Sequence, residues 1–291
     1  MKKKIISVIA GVAGLAMAYF LVSGISHIIY NRPTDNAAAK TESTTESTEQ
    51  GTEEAKAAMT EDEINEMLSG MKATETTETA TEEQSEVIPV KFEELQAVNP
   101  DIYAWITVPG TVIDYPILQH ASDNTYYLMH NIDGSYGYPG CVYTENMNSK
   151  DFTDNNTVIY GHNMKNGSMF AQLHKFEDPD FFNENREVLI YLPDEVLHYT
   201  IFAAHIYDDR HLLYSFDFTD PEVYQKYLDS IFSIRDMSAN IDKDITVTTD
   251  DQIITLVTCI GSQPSNRLLV QAVLTDRKPG TETARTAATT E

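Results

Sequence analysis

Hydrophobic and polar positions divide the chain into three parts. Residues 5–30 form one uncharged apolar run, residues 31–86 are mostly polar, and regularly spaced apolar positions extend from about residue 87 to residue 278. Only the third part has the aromatic and β-branched residues that a packed core requires. We therefore predict one folded domain over 87–278, with disordered segments at 31–86 and 279–291.

Within 87–278, short apolar runs separated by turn signals predict strands. Helical spacing is confined to Val90–Ala97, Ser168–His174 and a run to Ile234 that opens with Asp220-Pro221, an N-cap followed by proline. The strands are predicted at Ala104–Val108, Val112–Leu118, Cys141–Thr144, Thr157–Tyr160, Glu187–Leu192, His198–Ile206, Ile253–Thr258 and Leu268–Leu274. This pattern indicates a mainly β fold, a closed or nearly closed eight-stranded barrel with an N-terminal helix and a helix between late strands.

The N-terminal apolar run is long enough to cross a membrane. It has about 26 uncharged residues, whereas a spanning helix needs about 20, and Lys2, Lys3 and Lys4 precede it. Basic residues next to a membrane span favour the cytoplasmic side. We therefore predict a cytoplasmic segment 1–4, a transmembrane anchor 5–30 and an extracellular domain. A cleaved signal peptide ending at Ala18 is the alternative, although the apolar run continues past that residue. Both alternatives export the domain.

The acidic charge lies mainly in the polar segment. The formal net charge is -25, and residues 34–86 contain 15 acidic residues against 3 lysines. Such a stretch repels itself and buries too little apolar surface to fold, which predicts a spacer between membrane and domain. One exception is Thr60–Met71, where Thr60 and Glu63 have the spacing of a capping box for a short helix. The absence of a basic patch argues against nucleic-acid binding.

Cys259 and Arg267 are candidates for acyl-transfer chemistry. Cys259 follows a buried-strand pattern, and Arg267 opens the next apolar run after a predicted loop over 260–266. If the two strands form a hairpin, the guanidinium returns beside the thiol, where it favours the thiolate and faces a developing oxyanion. The alternative is a small apolar core residue, the role that we expect for Cys141. The sequence has no C-x-x-C or H-x-x-x-H spacing, so we predict no zinc site.

His162 is the candidate acid/base. It follows an apolar strand and Gly161, a position that fixes an imidazole while keeping it accessible. The chain has eight histidines, and a lone histidine is more often structural. His198 and His205 are seven residues apart in one strand and face opposite sides, so they predict no shared metal. The residues alone make a Cys/His/Arg site a hypothesis.

Four motifs in order resemble class B sortases, and together they extend from about Phe92 to Leu274. Thr255–Cys259, with Arg267 eight positions after the cysteine, resembles the sortase active-site strand. Tyr160–Lys165 followed by Ser168–Phe170 resembles the histidine segment of class B. The other two motifs are Trp105–Pro116 and Asp123–His130.

The resemblance implies a sortase-type barrel and a cysteine transpeptidase of Gram-positive bacteria without a cofactor. Such enzymes cleave a C-terminal sorting motif of secreted proteins and pass the acyl group to a peptidoglycan or pilin amine. By motif position, Cys259 is the nucleophile, His162 the acid/base and Arg267 the oxyanion stabiliser. Candidates to bind the sorting motif are Asn124, Leu128, Tyr160 and Thr258.

Two positions depart from the class B pattern. Val257 stands where members often have serine, and Ile260 where some have an acidic residue, so we expect different contacts to the motif. Two other functions remain open. One is a surface cysteine peptidase that releases product to water, and the other is a non-catalytic cell-surface binding module.

Overall fold

The computed structural model describes residues 61–71 and 85–282, which all belong to one compact unit, Ala55–Glu291. The predicted anchor at 5–30 and the remainder of the spacer and tail lie outside the described residues. Among the described residues, no helix is both long and apolar enough to cross a membrane.

Strands dominate the described part of the chain. The strands are β1 Glu86–Ile88, β2 Ile102–Thr107, β3 Asp114–Leu118, β4 Val142–Thr144, β5 Asn156–Tyr160, β6 Glu187–Tyr191, β7 Glu195–Asp208, β8 Asn240–Ile241, β9 Ile253–Ile260 and β10 Gln263–Glu282. The α-helices are α1 Glu61–Met71, α2 Phe92–Val98, α3 Pro179–Glu184, α4 Leu212–Ser215 and α5 Pro221–Phe232. Two 3₁₀ helices span Tyr126–Leu128 and Phe170–Glu177.

Eight of these strands form a closed barrel. The hydrogen-bonded order is β10-β9-β5-β4-β3-β2-β6-β7, and β7 pairs with β10 to close it. The two remaining described strands extend the sheet, since β1 pairs with β10 and β8 with β7. Each of the eight predicted strands corresponds to one barrel strand, so the predicted architecture is confirmed.

The two faces of β9 show how the core is divided. Ile254 and Leu256 point into the barrel, whereas Ile253 and Val257 lie on its outer face in a second apolar cluster. Helix α5 covers that outer face with apolar residues spaced three and four apart: Tyr224, Tyr227, Leu228 and Ile231. The predicted N-cap is present, because the Asp220 side chain accepts hydrogen bonds from two N–H groups of the first turn.

The ends of the domain differ from the sequence prediction. Strand β10 continues past Lys278 to Glu282, and its last residues pair in parallel with β1. Helix α1 lies within the segment 31–86, where the sequence predicted disorder except for a short helix at Thr60–Met71. Leu68 of α1 is only 6% exposed and joins the main core, which provides the burial that an isolated short helix lacks.

Candidate active site

Cys259 and Arg267 lie directly opposite one another on β9 and β10. Cβ atoms of directly opposite residues are about 4.5–5.5 Å apart and share one face of the sheet. The connection between β9 and β10 is shorter than the predicted loop over 260–266, because Gln263 already pairs with Ile260. The register between the two strands then shifts before Arg267. Nη1 of Arg267 donates to the carbonyls of Pro264 and Asn266, at 2.8 and 2.9 Å. These bonds hold the guanidinium against its own loop.

His162 follows β5 on the other side of Cys259. Strands β5 and β9 are parallel with Tyr160 opposite Val257, and the next N–H, of Gly161, donates to the Val257 carbonyl at 3.1 Å. Nδ2 of Asn163, the residue after His162, donates to the Cys259 carbonyl at 2.8 Å, so His162 follows β5 beside the end of β9 that carries Cys259. The ends of β5 and β9 and the start of the paired part of β10 thus bring the three candidate residues to one region of the barrel.

Contacts around His162 fix its ring. Its Nε2 lies 2.7 Å from the carbonyl oxygen of Leu128, and because a carbonyl only accepts, Nε2 must carry the proton. The edge of the ring meets Tyr138, with ring centroids 5.2 Å apart. The carbonyl of His162 accepts a hydrogen bond from the N–H of Phe170 at 2.9 Å. Nδ1 is therefore the nitrogen that can exchange a proton with a ligand.

Gly161 allows the chain before His162 to approach the Phe170 ring. A Cβ atom at Gly161 would lie 2.5 Å from Cγ of Phe170, well inside van der Waals contact. The glycine in front of the histidine is thus a packing requirement as well as a motif residue.

Two further residues that sequence reasoning missed contact the main chain of Cys259, and a third contacts one of them. The carbonyl of Cys259 accepts a hydrogen bond from Nδ2 of Asn163 at 2.8 Å and lies 3.1 Å from Nε2 of His174. Nδ1 of His174 lies 2.8 Å from Oε2 of Glu177. The sequence showed Asn163 only as part of a motif. The predicted helix at Ser168–His174 overlaps the 3₁₀ helix, but no local pattern indicated that it reaches Cys259.

The predicted motif-binding residues fall into two groups. Leu128 is 37% exposed and its carbonyl contacts His162, and Tyr160 ends β5 two residues before His162. Asn124 lies in a loop, where its Oδ1 accepts a hydrogen bond from the N–H of Asn146 at 2.8 Å. Thr258 alternates with Cys259 and faces the other way. It is 2% exposed, and its hydroxyl donates to the carbonyl of Gly161 at 2.9 Å, so a peptide could reach that hydroxyl only by breaking this bond.

A pair formed by the half-buried His211 and the buried Glu145 lies near Tyr160, and sequence reasoning missed it too. Nε2 of His211 is 2.7 Å from Oε1 of the buried Glu145, and the His211 ring is 6.3 Å from that of Tyr160. Burial, and secondarily the charge of Glu145, raise the pKa of Tyr160. The phenol of Tyr160 therefore stays neutral at physiological pH.

The two cysteines have different surroundings. Both are free, but Cys141 is buried and burial raises the pKa of its thiol, whereas Cys259 is partly exposed. Cys141 therefore has the inert environment that we expected. Within residues 61–71 and 85–282, no cluster of three or more His, Cys, Asp or Glu side chains is arranged to hold a metal ion.

Comparison with known proteins identifies the family. The sequence model of the sortase family, described as the sortase domain, matches residues 106–275 of this chain. Sortase B of Listeria monocytogenes is 32% identical over 212 residues, which cover 72% of this chain and 83% of that protein. The structure of Clostridium perfringens sortase B has a TM-score of 0.58 and 33% identity, covering 64% of this chain and 100% of that one. A Streptococcus pyogenes class B sortase has a TM-score of 0.54 and 29% identity, covering 64% and 98%.

The chain therefore belongs to the sortase family of transpeptidases, in its class B branch.

Proposed function

We propose that this sortase is a cysteine transpeptidase that cleaves a C-terminal sorting motif of secreted proteins and transfers the acyl group to an amine. The observation that carries the proposal is the pairing of Cys259 with Arg267 across β9 and β10, with the chain that carries His162 bonded to the Cys259 carbonyl through Asn163. A nucleophile flanked by a proton carrier and a fixed cation is the arrangement that acyl transfer through a thioester requires.

The proposed reaction has two steps. The Cys259 thiolate attacks the carbonyl carbon of the scissile amide, and the protonated His162 gives a proton to the leaving amine as the C–N bond breaks. The product is a thioester between the sorting motif and the enzyme. In the second step, His162 takes a proton from the incoming amine, which attacks the thioester and forms a new amide. The thiolate leaves and the imidazolium is restored.

Arg267 would stabilise the negative oxygen that forms in each step. A guanidinium offers several N–H donors in a planar fork, and a carbonyl oxygen gains negative charge in the transition state. Within the described structure, only Nη1 donates to the loop carbonyls of Pro264 and Asn266, so Nε and Nη2 can point toward the substrate.

Asn124, Leu128 and Tyr160 would line the groove for the sorting motif. The partial exposure of Leu128, the contact of its carbonyl with His162 and the place of Tyr160 at the end of β5 support this role. Thr258 would contribute indirectly, by holding the strand end that carries Gly161 and His162. Val257 places an apolar side chain where class B members often have serine, so this part of the groove would favour an apolar contact.

The acceptor in this proposal is a peptidoglycan amine, with a pilin amine as the second candidate. The Streptococcus pyogenes relative is a class B sortase involved in pilus biogenesis, and this relative is the reason for including the pilin amine. Sortases are cell-surface enzymes, and residues 5–30 would supply the membrane anchor with the domain outside.

Product analysis with a peptide library tests the proposal. Sorting-motif peptides are incubated with the enzyme, with and without triglycine as amine acceptor. We expect an amide product in the presence of triglycine, lost in Cys259→Ala and in His162→Ala. Cys141→Ala is the matched control and should retain activity, because that thiol is buried and contacts the carbonyl of His130. Hydrolysis without amide product under every acceptor tried would identify a peptidase instead.

A binding module would behave differently in cells. If the protein acts only by binding, Cys259→Ala would leave the surface display of secreted proteins unchanged.

A further inference from the structure

The carbonyl of Cys259 lies where the backbone pairing between β5 and β9 stops. The last backbone hydrogen bond between the two segments runs from the N–H of Gly161 to the Val257 carbonyl, at 3.1 Å. In a continued parallel ladder, the Cys259 carbonyl would accept from the backbone N–H of Asn163. The side chain of Asn163 donates to it instead, at 2.8 Å. A side chain thus replaces a backbone bond at the nucleophile.

His174 and Glu177 support the same carbonyl from the Phe170–Glu177 3₁₀ helix. The Glu177 carboxylate, 2.8 Å from Nδ1 of His174, requires a proton on that nitrogen. Nε2 lies 3.0 Å from Nδ2 of Asn163 and 3.1 Å from the Cys259 carbonyl. If His174 is neutral, its Nε2 accepts from Asn163, whose second N–H donates to Cys259. If it is charged, Nε2 itself donates to Cys259. Both states hold the carbonyl.

The chain after Cys259 offers little other support. Residues 261–265 are exposed, and the pairing of β9 with β10 is irregular between Gln263 and Arg267. The thiol position relative to His162 and Arg267 follows from the main chain of Cys259, because a single side-chain torsion separates Sγ from the backbone. Misplacing a reacting group by about 1 Å can lower turnover about 100-fold.

We propose that Asn163, His174 and Glu177 are positioning residues that hold the Cys259 carbonyl and thereby align its thiol with His162 and Arg267. None of the three needs to touch the substrate. The inference rests on the proposed function, since the alignment matters for transpeptidation.

The test uses the 291-residue chain and compares His174→Ala, His174→Gln and Glu177→Gln with Glu184→Gln, an exposed carboxylate on α3. We expect His174→Ala to lower kcat by about tenfold or more while KM for the sorting peptide stays nearly unchanged. His174→Gln should recover part of the loss, because its amide N–H can still donate to the carbonyl. Glu177→Gln should give a smaller loss, and Glu184→Gln none. Equal kcat in His174→Ala and Glu184→Gln would overturn the proposal.

A second measurement does not depend on turnover. The rate at which iodoacetamide alkylates Cys259 is compared in a Cys141→Ala background, at neutral pH and with folding checked by thermal melting. His174→Ala and Asn163→Ala should each slow alkylation, because a displaced thiol loses the charge stabilisation of Arg267. An unchanged or faster rate in both variants would contradict the positioning role. If the wild-type chain transfers no acyl group, the proposed function fails, and alkylation still decides the role of the three residues.

Discussion

At the scale of single residues, the site depends on groups whose shape matters as much as their charge. Arg267, which pairs directly with Cys259, bonds two carbonyls of its own loop with Nη1 and has further N–H groups for a substrate oxygen. A lysine has a single flexible ammonium and cannot do both.

Arg267→Lys should therefore lower turnover of a sorting peptide by about 10²–10³-fold, the typical cost of losing an oxyanion donor. The matched control is Arg235→Lys, since Arg235 also donates through Nη1 to two carbonyls, those of Phe232 and Ile234, but lies at the end of α5. Near-normal turnover in Arg267→Lys, measured beside that control, would refute the oxyanion role.

Gly161 gives a second prediction at this scale. Gly161→Ala places a Cβ atom 2.5 Å from Cγ of Phe170, so we expect a destabilisation of about 1–3 kcal/mol and a displaced His162. Gly261→Ala is the control, because a Cβ there would meet no atom within 4 Å. Denaturant unfolding and peptide turnover measure both effects. Equal stability of the two variants would show that the Phe170 ring can move aside.

At the scale of elements, α5 and the outer face of the barrel enclose a buried polar network. His205 is 4% exposed, and its Nε2 lies 3.0 Å from Oε1 of Gln271. The amide nitrogen of Gln271 donates to the hydroxyl of Tyr227 on α5 at 2.8 Å. These bonds link β7, β10 and α5. Burial lowers the pKa of His205 below its ordinary value of 6.5.

This network predicts a loss of stability in mild acid. Because the folded-state pKa of His205 is lowered, the unfolded chain binds a proton that the folded chain excludes. Stability should fall as the pH drops through about 6.5, by about 1.4 kcal/mol per pH unit, until the pH is below the folded-state pKa. Urea unfolding as a function of pH measures this slope. His205→Gln should flatten it, and an identical slope in the variant would show that other groups cause the acid sensitivity.

The same capping signal begins two helices of the domain. Asp220-Pro221 predicted α5, and Asp178-Pro179 begins α3, a helix outside the sequence prediction. The Asp178 side chain accepts hydrogen bonds from the N–H groups of Asp180 and Phe181. Strands β1 and β8 have three and two residues, too few to show a hydrophobic period.

At the scale of the whole molecule, the barrel is closed by segments far apart in sequence. Strand β1 pairs with the end of β10, and Glu86 lies within ion-pair distance of both His198 and Lys278. Ile88 and Val90 are fully buried in the main core. The functional domain therefore includes residues just before the predicted boundary at 87, and strand residues beyond 278.

A pair of truncations tests this boundary. We expect a chain of residues 85–282 to fold and remain active, whereas residues 91–282 should be less stable. Burying one such apolar side chain contributes about 1.5–3 kcal/mol, and the shorter chain lacks Ile88 and Val90. Thermal unfolding of the two chains provides the comparison. Equal melting temperatures would mean that β1 is dispensable.

The sequence by itself determined the barrel strands, α5 and the candidate residues Cys259 and Arg267, because these follow from local periodicity, capping and hairpin spacing. It also determined the family, through four motifs in order. His162 was singled out from eight histidines only by resemblance. The tertiary structure alone aligned it with Cys259, through the parallel β5–β9 pairing of segments about 100 residues apart. The same pairing turned Thr258 toward Gly161 and brought Asn163 and His174 to the Cys259 carbonyl. Contacts of this kind depend on register between distant strands, which no local pattern encodes.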